Sequence, residues 1–113
     1  MKLIQNKPPR VFVVGKNRNI SISDCGSINL EHNEQVTFLT DDGKEYDVVS
    51  KEWGFYATPS INKRLVAQGF KTALVKNSEG VYFVMLVEKE KVSVFKKYLA
   101  EEKNFLIKWL DNV

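Results

Sequence analysis

Alternating apolar and polar residues predict a series of short strands in the first half of the chain. The candidate strands are rich in β-branched residues or alternate in polarity, and they lie at residues 11–14, 20–22, 28–30, 36–40 and 46–49. Between the last two, Asp41 and Asp42 precede Gly43, which can adopt the positive φ of a hairpin turn. The pattern therefore predicts antiparallel strands joined by tight turns.

A short helix is predicted at residues 59–68. Thr58 is a capping residue, Pro59 suits the first helical position, and Gly69 suits the position just past the end. If Gly69 ends the helix, Leu65 and Phe70 occupy the two positions that form an apolar contact across a Schellman ending.

The second half predicts a hairpin followed by a C-terminal helix. Residues 70–75 and 81–87 flank a turn, and the second of these strands is apolar on both faces, which favours a central position in a sheet. A helical stripe then follows at Val92, Phe95, Leu99, Leu106 and Leu110. Residues 102–104 are a candidate break in this helix.

The predicted fold class is α+β: a curved antiparallel sheet with a short inserted helix and a C-terminal helix packed on one face. The 113 residues fit one domain spanning residues 1–113. Residues 1–10 are expected to form a flexible arm, because Pro8 and Pro9 lack a backbone donor. The hydrophobic fraction of 43% and the charged fraction of 27% are those of an ordinary globular protein.

Cysteine content and apolar run length indicate the compartment. Cys25 is the only cysteine, so no intrachain disulfide is available, and the N-terminus lacks the apolar region of a signal peptide. The longest apolar run, residues 81–87, is much shorter than a membrane span. We expect a cytoplasmic protein with no membrane partner.

Charge is distributed unevenly around a net value of +3. Residues 1–20 carry five basic groups and no acid, whereas residues 21–50 carry seven acids and Lys44 as their one base. Proteins that bind nucleic acid usually concentrate basic residues into one footprint. The acidic block therefore argues against nucleic acid as a partner.

Residues with catalytic or metal-binding chemistry are few. His32 is the only histidine, and with Cys25 it cannot supply the four nitrogen or sulfur ligands of a usual zinc site. No spacing among the carboxylates of residues 21–50 marks a catalytic pair. We expect no cofactor and no metal, and these residues favour a non-catalytic role over an enzyme.

The most informative segment is residues 51–64. Trp53, Phe55 and Tyr56 lead into the predicted helix; in an extended chain the first two share a face and Tyr56 points away. A helix start offers free N–H groups that favour an anion. The predicted ligand-binding residues are Lys51, Trp53, Tyr56, Thr58, Ser60, Asn62, Lys63 and Arg64. Alternatively, Trp53 and Phe55 are core residues and Thr58 caps the helix by itself.

A family resemblance rests on the same region. Residues 53–60, Asn62, Arg64, Leu65 and residues 72–77 resemble small uncharacterised bacterial proteins. Some members of that family lie beside surface-polysaccharide or sugar-nucleotide genes. The resemblance spans residues 20–112 and implies an accessory role in a sugar pathway. It implies no catalytic residue.

The leading functional hypothesis is a non-catalytic binding or accessory domain, possessing an aromatic-plus-basic site at residues 51–64 for a protein partner or for a sugar-type or anionic small molecule. One alternative is a small enzyme that acts on an activated sugar through Asp and Glu residues. Another is single-stranded nucleic-acid binding on the three aromatic rings. An exposed edge strand is also readily covered by a symmetric copy, which is consistent with a homodimer.

Overall fold

The computed structural model describes residues 1–112, and this part of the chain forms eight β-strands and two α-helices. The strands are β1 (Lys2–Val14), β2 (Ile20–Asn29), β3 (Gln35–Leu39), β4 (Glu45–Lys51), β5 (Gly54–Ala57), β6 (Phe70–Lys76), β7 (Tyr82–Glu88) and β8 (Phe105–Trp109). The helices are α1 (Arg64–Ala67) and α2 (Val92–Glu101), and a 3₁₀ turn at Lys89–Lys91 precedes α2.

The strands form three separate antiparallel sheets. Their orders are β1-β2, β3-β4-β5 and β7-β6-β8. The α+β class is confirmed, but the single curved sheet is not observed. That expectation assumed that strands adjacent in sequence all pair in one sheet. Instead, the connections between β2 and β3 and between β5 and β6 each lead into a new sheet.

The core lies between the third sheet and α2. Ala73 and Val75 of β6 are completely buried, and Leu99 of α2 packs with them. Partly buried residues from the neighbouring elements surround this cluster: Met85, Phe95, Leu106 and Trp109. The prediction that a C-terminal helix covers one face of a sheet is confirmed for α2.

The last predicted helical segment is a strand. Helix α2 ends at Glu101, Lys103 adopts a left-handed φ of 54°, and the chain reverses to pair β8 with β6. Helical spacing placed Leu106 and Leu110 on the stripe, but the reversal lets their segment supply backbone hydrogen bonds along β6. As a result β6 is central, and β7, which was expected to be central, is an edge strand.

The inserted helix is shorter than predicted. Helix α1 begins at Arg64 rather than at residue 59, because Ser60 forms a turn in which its side chain accepts from the N–H of Arg64. The predicted ending is observed: Gly69 has a φ of 89° and donates its N–H to the carbonyl of Val66. Leu65 and Phe70, on either side of that ending, are both buried.

Residues 2–10 belong to β1, whereas residues 1–10 were expected to form a flexible arm. Strand β1 is 13 residues long and pairs with β2, with a register shift between Gln5 and Arg10. We call β1 and β2 the N-terminal ribbon. Almost every residue of the ribbon is exposed. Neither helix of the described chain has the length and apolarity that a membrane crossing requires.

Candidate functional site

Three exposed aromatic residues occupy the end of the β4–β5 hairpin. Trp53 lies in the turn, while Phe55 and Tyr56 lie on β5, and their exposed fractions are 71%, 67% and 44%. We call these three residues the aromatic tip. The turn is possible because Gly54 takes a φ of 142°, which disfavours a side chain. The alternative in which Trp53 and Phe55 are core residues is therefore wrong.

Two rings of the aromatic tip stack on each other. The ring centroids of Trp53 and Tyr56 are 5.8 Å apart and their planes differ by 17°. Sequence alternation had placed Trp53 with Phe55 and Tyr56 on the opposite face. The turn at Glu52 and Trp53 interrupts the extended chain, so the period of two does not apply across it. The stack leaves the outer face of each ring available for contact.

Two predicted site residues connect the tip to the segment that leads into β3. Lys51 donates to the side-chain oxygen of Asn33 at 2.6 Å. Thr58 donates from its hydroxyl to the side-chain oxygen of Gln35 at 3.3 Å. These two contacts restrain the chain on either side of the aromatic tip, at Lys51 and at Thr58.

Arg64 is bound by a buried carboxylate. Its guanidinium forms an ion pair with Asp47 of β4, whose side chain is 7% exposed, and the hydroxyl of Thr37 donates to the same carboxylate at 2.6 Å. A buried carboxylate requires such partners. Arg64 therefore joins α1 to the β3–β4 pair, and its charge is largely neutralised at that position.

No anion site of the expected kind forms beside Pro59. The N–H groups of Arg64 and Leu65 are both bonded, to the hydroxyl and the carbonyl of Ser60 respectively. Asn62 and Lys63 are exposed in the turn before α1. Of the predicted residues, the structure brings Trp53 and Tyr56 together, whereas Ser60 and Arg64 make internal bonds.

Lys44 organises an acidic cluster that the sequence analysis did not single out. Its ammonium lies 2.5 Å from Asp42, 3.0 Å from Glu88 and 2.7 Å from Glu90. The hydrogen bonds that Lys44 donates, above all the one to Asp42, raise the pKa of Lys44, and the same bond lowers the pKa of Asp42 to about 2. Although the three carboxylates are close enough to share a cation, Lys44 supplies that positive charge. The sequence signal for this cluster was that Lys44 is the one Lys or Arg within the acidic segment, residues 21–50.

Two other paired acids of the first half, Asp24 and Glu34, also have lowered pKa values. A hydrogen bond from Arg10 lowers the pKa of Asp24, and the backbone N–H of Glu31 lowers that of Glu34. A general acid that works near neutral pH requires the opposite shift. These carboxylates therefore favour ion pairing over the acid–base role in the enzyme hypothesis.

Two cavities lie on either side of β7. A cavity of about 300 Å³ separates the second and third sheets and is lined mainly by apolar side chains, with Thr72 among its walls. Within residues 1–112, the Thr72 hydroxyl is buried without a hydrogen-bond partner. A larger cleft of about 850 Å³ separates the ribbon from β7 and α2, and we call it the ribbon cleft. The aromatic tip lines neither of them.

In comparisons with known proteins, no family model, curated protein or solved structure matches the chain. The resemblance to polysaccharide-associated bacterial proteins therefore stays a prediction.

Proposed function

We propose that the chain is a non-catalytic binding module that contacts a protein partner through the aromatic tip. The observation that carries this proposal is the exposure of Trp53 and Phe55, at 71% and 67%, on the end of a hairpin. Aromatic residues dominate the binding energy of many protein interfaces. Large rings that stay mostly in contact with water at a hairpin end are therefore candidates for an interface.

The projecting shape of the tip favours a protein over a small ligand. Sites for small molecules are concave and bury most of the ligand's surface. Rings that are two-thirds exposed project outward, and such rings fit into a groove on a larger partner. The sugar-type ligand considered from the sequence remains a distinct outcome of the experiment below.

The tip is held in place before binding. Residues of β4 and β5 pair in register up to Lys51 and Gly54, and Lys51 and Thr58 bond to side chains outside the hairpin. Trp53 and Tyr56 further restrict each other by stacking. Ordering side chains at an interface costs free energy, and a tip that is already ordered avoids part of that cost.

An accessory role in a sugar pathway, implied by the family resemblance, agrees with this proposal if the partner is an enzyme of such a pathway. In that role the module would bind the enzyme and leave the chemistry to it. The ion-paired acids of the first half support this division over catalysis by the chain itself.

The test compares a tip variant with a matched surface variant. Trp53→Ala/Phe55→Ala removes two rings of the tip, and Phe38→Ala removes an exposed ring from β3 of the same sheet. Immobilised wild-type protein and both variants are incubated with an extract of the source cells. Each captured protein is then purified, and its direct binding is measured by titration calorimetry. We expect the tip variant to weaken direct binding at least tenfold and Phe38→Ala to leave it unchanged.

Stability measurements separate binding from folding. The removed side chains are exposed, so the tip variant should change the free energy of unfolding by less than about 0.5 kcal/mol. Equal binding by wild type and the tip variant would contradict the proposal. Retardation of the wild type, but not of the tip variant, in gels containing polysaccharide would instead support a sugar ligand.

A further inference from the structure

The chain is less compact than a typical globular monomer of the same length. Its accessible surface is 8229 Å², whereas a compact monomer of 13.0 kDa exposes about 6,300 Å². Its radius of gyration is 15.7 Å, against about 13 Å for a compact domain of this length. The N-terminal ribbon accounts for much of this difference, because most of its residues are exposed.

Next to the β1–β2 turn, one face of the ribbon is apolar on both strands, and the Arg10–Asp24 pair borders it. Phe12 lies opposite Ile22 and Val14 lies opposite Ile20, and directly opposed residues share a face. On the other face, Val11 and Val13 are opposed by serines. A two-stranded ribbon is marginally stable in water on its own. The apolar face therefore needs a cover.

The ribbon cleft has apolar side chains on both walls. Val14, Ile20 and Ile22 form the ribbon wall, while Phe83 of β7 and Tyr98 of α2 contribute to the opposite wall. The β7 wall is also a sheet edge, with unpaired backbone groups. The same chain thus presents two apolar surfaces that its own fold leaves only partly covered.

Charges at the cleft favour the same pairing of surfaces. Lys16 is the basic residue of residues 1–20 that lines the cleft, whereas Arg10 is already paired with Asp24. The wall opposite the ribbon includes Glu79 and Glu102. Already within one chain, the N–H of Lys16 donates to the carboxylate of Glu102 at 2.6 Å.

We propose that the chain forms a two-fold symmetric homodimer in which the N-terminal ribbon of each copy packs over the β7 and α2 surface of the other. Both complementary surfaces are on one chain, so two copies related by a two-fold axis can make the contact twice, each ribbon on the β7 and α2 surface of the other copy. The excess surface, about 1,900 Å² per copy relative to a compact monomer, is in the range that obligate homodimers bury. This interface is separate from the aromatic tip and does not depend on the proposed function.

Light scattering coupled to size exclusion tests the proposal directly. The wild type should elute with a mass twice 13.0 kDa. Phe83→Asp places a charge on the β7 wall, and Phe12→Asp places one on the ribbon opposite Ile22 of the ribbon wall. Each should shift the mass to that of one chain. Val13→Asp, on the opposite ribbon face, is the matched control and should remain dimeric. The tip variant Trp53→Ala/Phe55→Ala should also remain dimeric, which distinguishes this proposal from the previous one.

A cross-linking experiment covers the case in which an Asp variant fails to fold. Two chains are prepared in a Cys25→Ser background, one carrying Phe12→Cys and the other Phe83→Cys. After the two are mixed, a short bismaleimide should join unlike chains in high yield. A wild-type mass of one chain, a dimer that persists in folded Phe12→Asp and Phe83→Asp, or the absence of cross-links between unlike chains would each overturn the proposal.

Discussion

The N-terminal ribbon and the β7-β6-β8 sheet contain similar apolar residues and bury them to very different extents. Val75 of β6 is completely buried, whereas Val13 of β1 is 48% exposed. The third sheet is covered by α2, which supplies Leu99 to its core. The ribbon has two strands and no helix of its own to cover it. Strand composition therefore sets the capacity for burial, and a second layer sets whether burial occurs.

This difference separates two kinds of structural role. The third sheet and α2 stabilise the fold, because their apolar residues are out of water within one chain. The ribbon and the aromatic tip expose theirs, and exposed apolar patches of this kind mark interaction surfaces. The tip projects at a hairpin end and suits a groove on a partner, while the ribbon is an extended surface suited to a second copy.

Truncating one side chain from each region is expected to give the largest contrast. Leu99→Ala should lower the free energy of unfolding by about 3 kcal/mol, because it removes buried methyl groups and leaves a cavity. Val13→Ala should lower it by less than about 0.5 kcal/mol. Urea unfolding at one protein concentration measures both. Equal losses would mean that the outer ribbon face is packed as tightly as the core.

Within the second and third sheets, a hydroxyl that lacks a hydrogen-bond partner can be compared with one that donates to a buried carboxylate. Thr72→Val removes a buried hydroxyl that has no partner within the described chain, so it should raise the free energy of unfolding by about 1 kcal/mol. Thr37→Val, the matched control, removes a donor to the buried Asp47 and should lower it by about 1 kcal/mol. Thermal unfolding of both variants provides the measurement. Destabilisation by Thr72→Val would show that its hydroxyl is satisfied.

The smallest expected effect is the contribution of Asp111, just after β8, to the loss of folding stability in acid. Burial alone would raise the pKa of Asp111, but hydrogen bonds from Lys71 and from the N–H of Thr72 outweigh it and hold the pKa below the ordinary value of an aspartate. A carboxyl with a lowered folded pKa stabilises the protein above its unfolded value and loses that contribution as the pH falls through the folded value.

Asp111→Asn should therefore flatten the decline of the free energy of unfolding below about pH 4. Lys71→Met, which removes one of the two donors, should flatten it to an intermediate degree. The measurement is urea unfolding at a series of acidic pH values. A slope in Asp111→Asn as steep as that of the wild type would show that this carboxyl contributes nothing to the acid dependence.

Some elements could be predicted because their sequence signals lie within a few neighbouring residues. The turn at Gly43, the helix ending at Gly69 and the stripe that forms α2 could be predicted because the conformation of Gly and the spacing of apolar residues act locally. The start of α1 at Arg64 was missed because Ser60 competes with Thr58 for the role of capping residue.

The candidate site was predicted in part. The aromatic residues were identified from their sequence cluster, but their exposure and the stacking of Trp53 on Tyr56 depend on where the hairpin turns. Arg64 was predicted as a ligand-binding residue, whereas it pairs with Asp47, 17 residues earlier in the chain. Such a pairing depends on tertiary placement, which spacing along the chain does not encode.

By itself, the sequence determined the α+β class, most of the turns and the presence of an aromatic segment before residue 58. Tertiary structure alone decided that β8 completes the sheet at β6, that β7 is left as an edge, and that the ribbon stays uncovered. The physical reason is that backbone hydrogen bonds can be made with any strand within reach. Which strand is within reach, and which apolar face meets another, is fixed only when the whole chain packs.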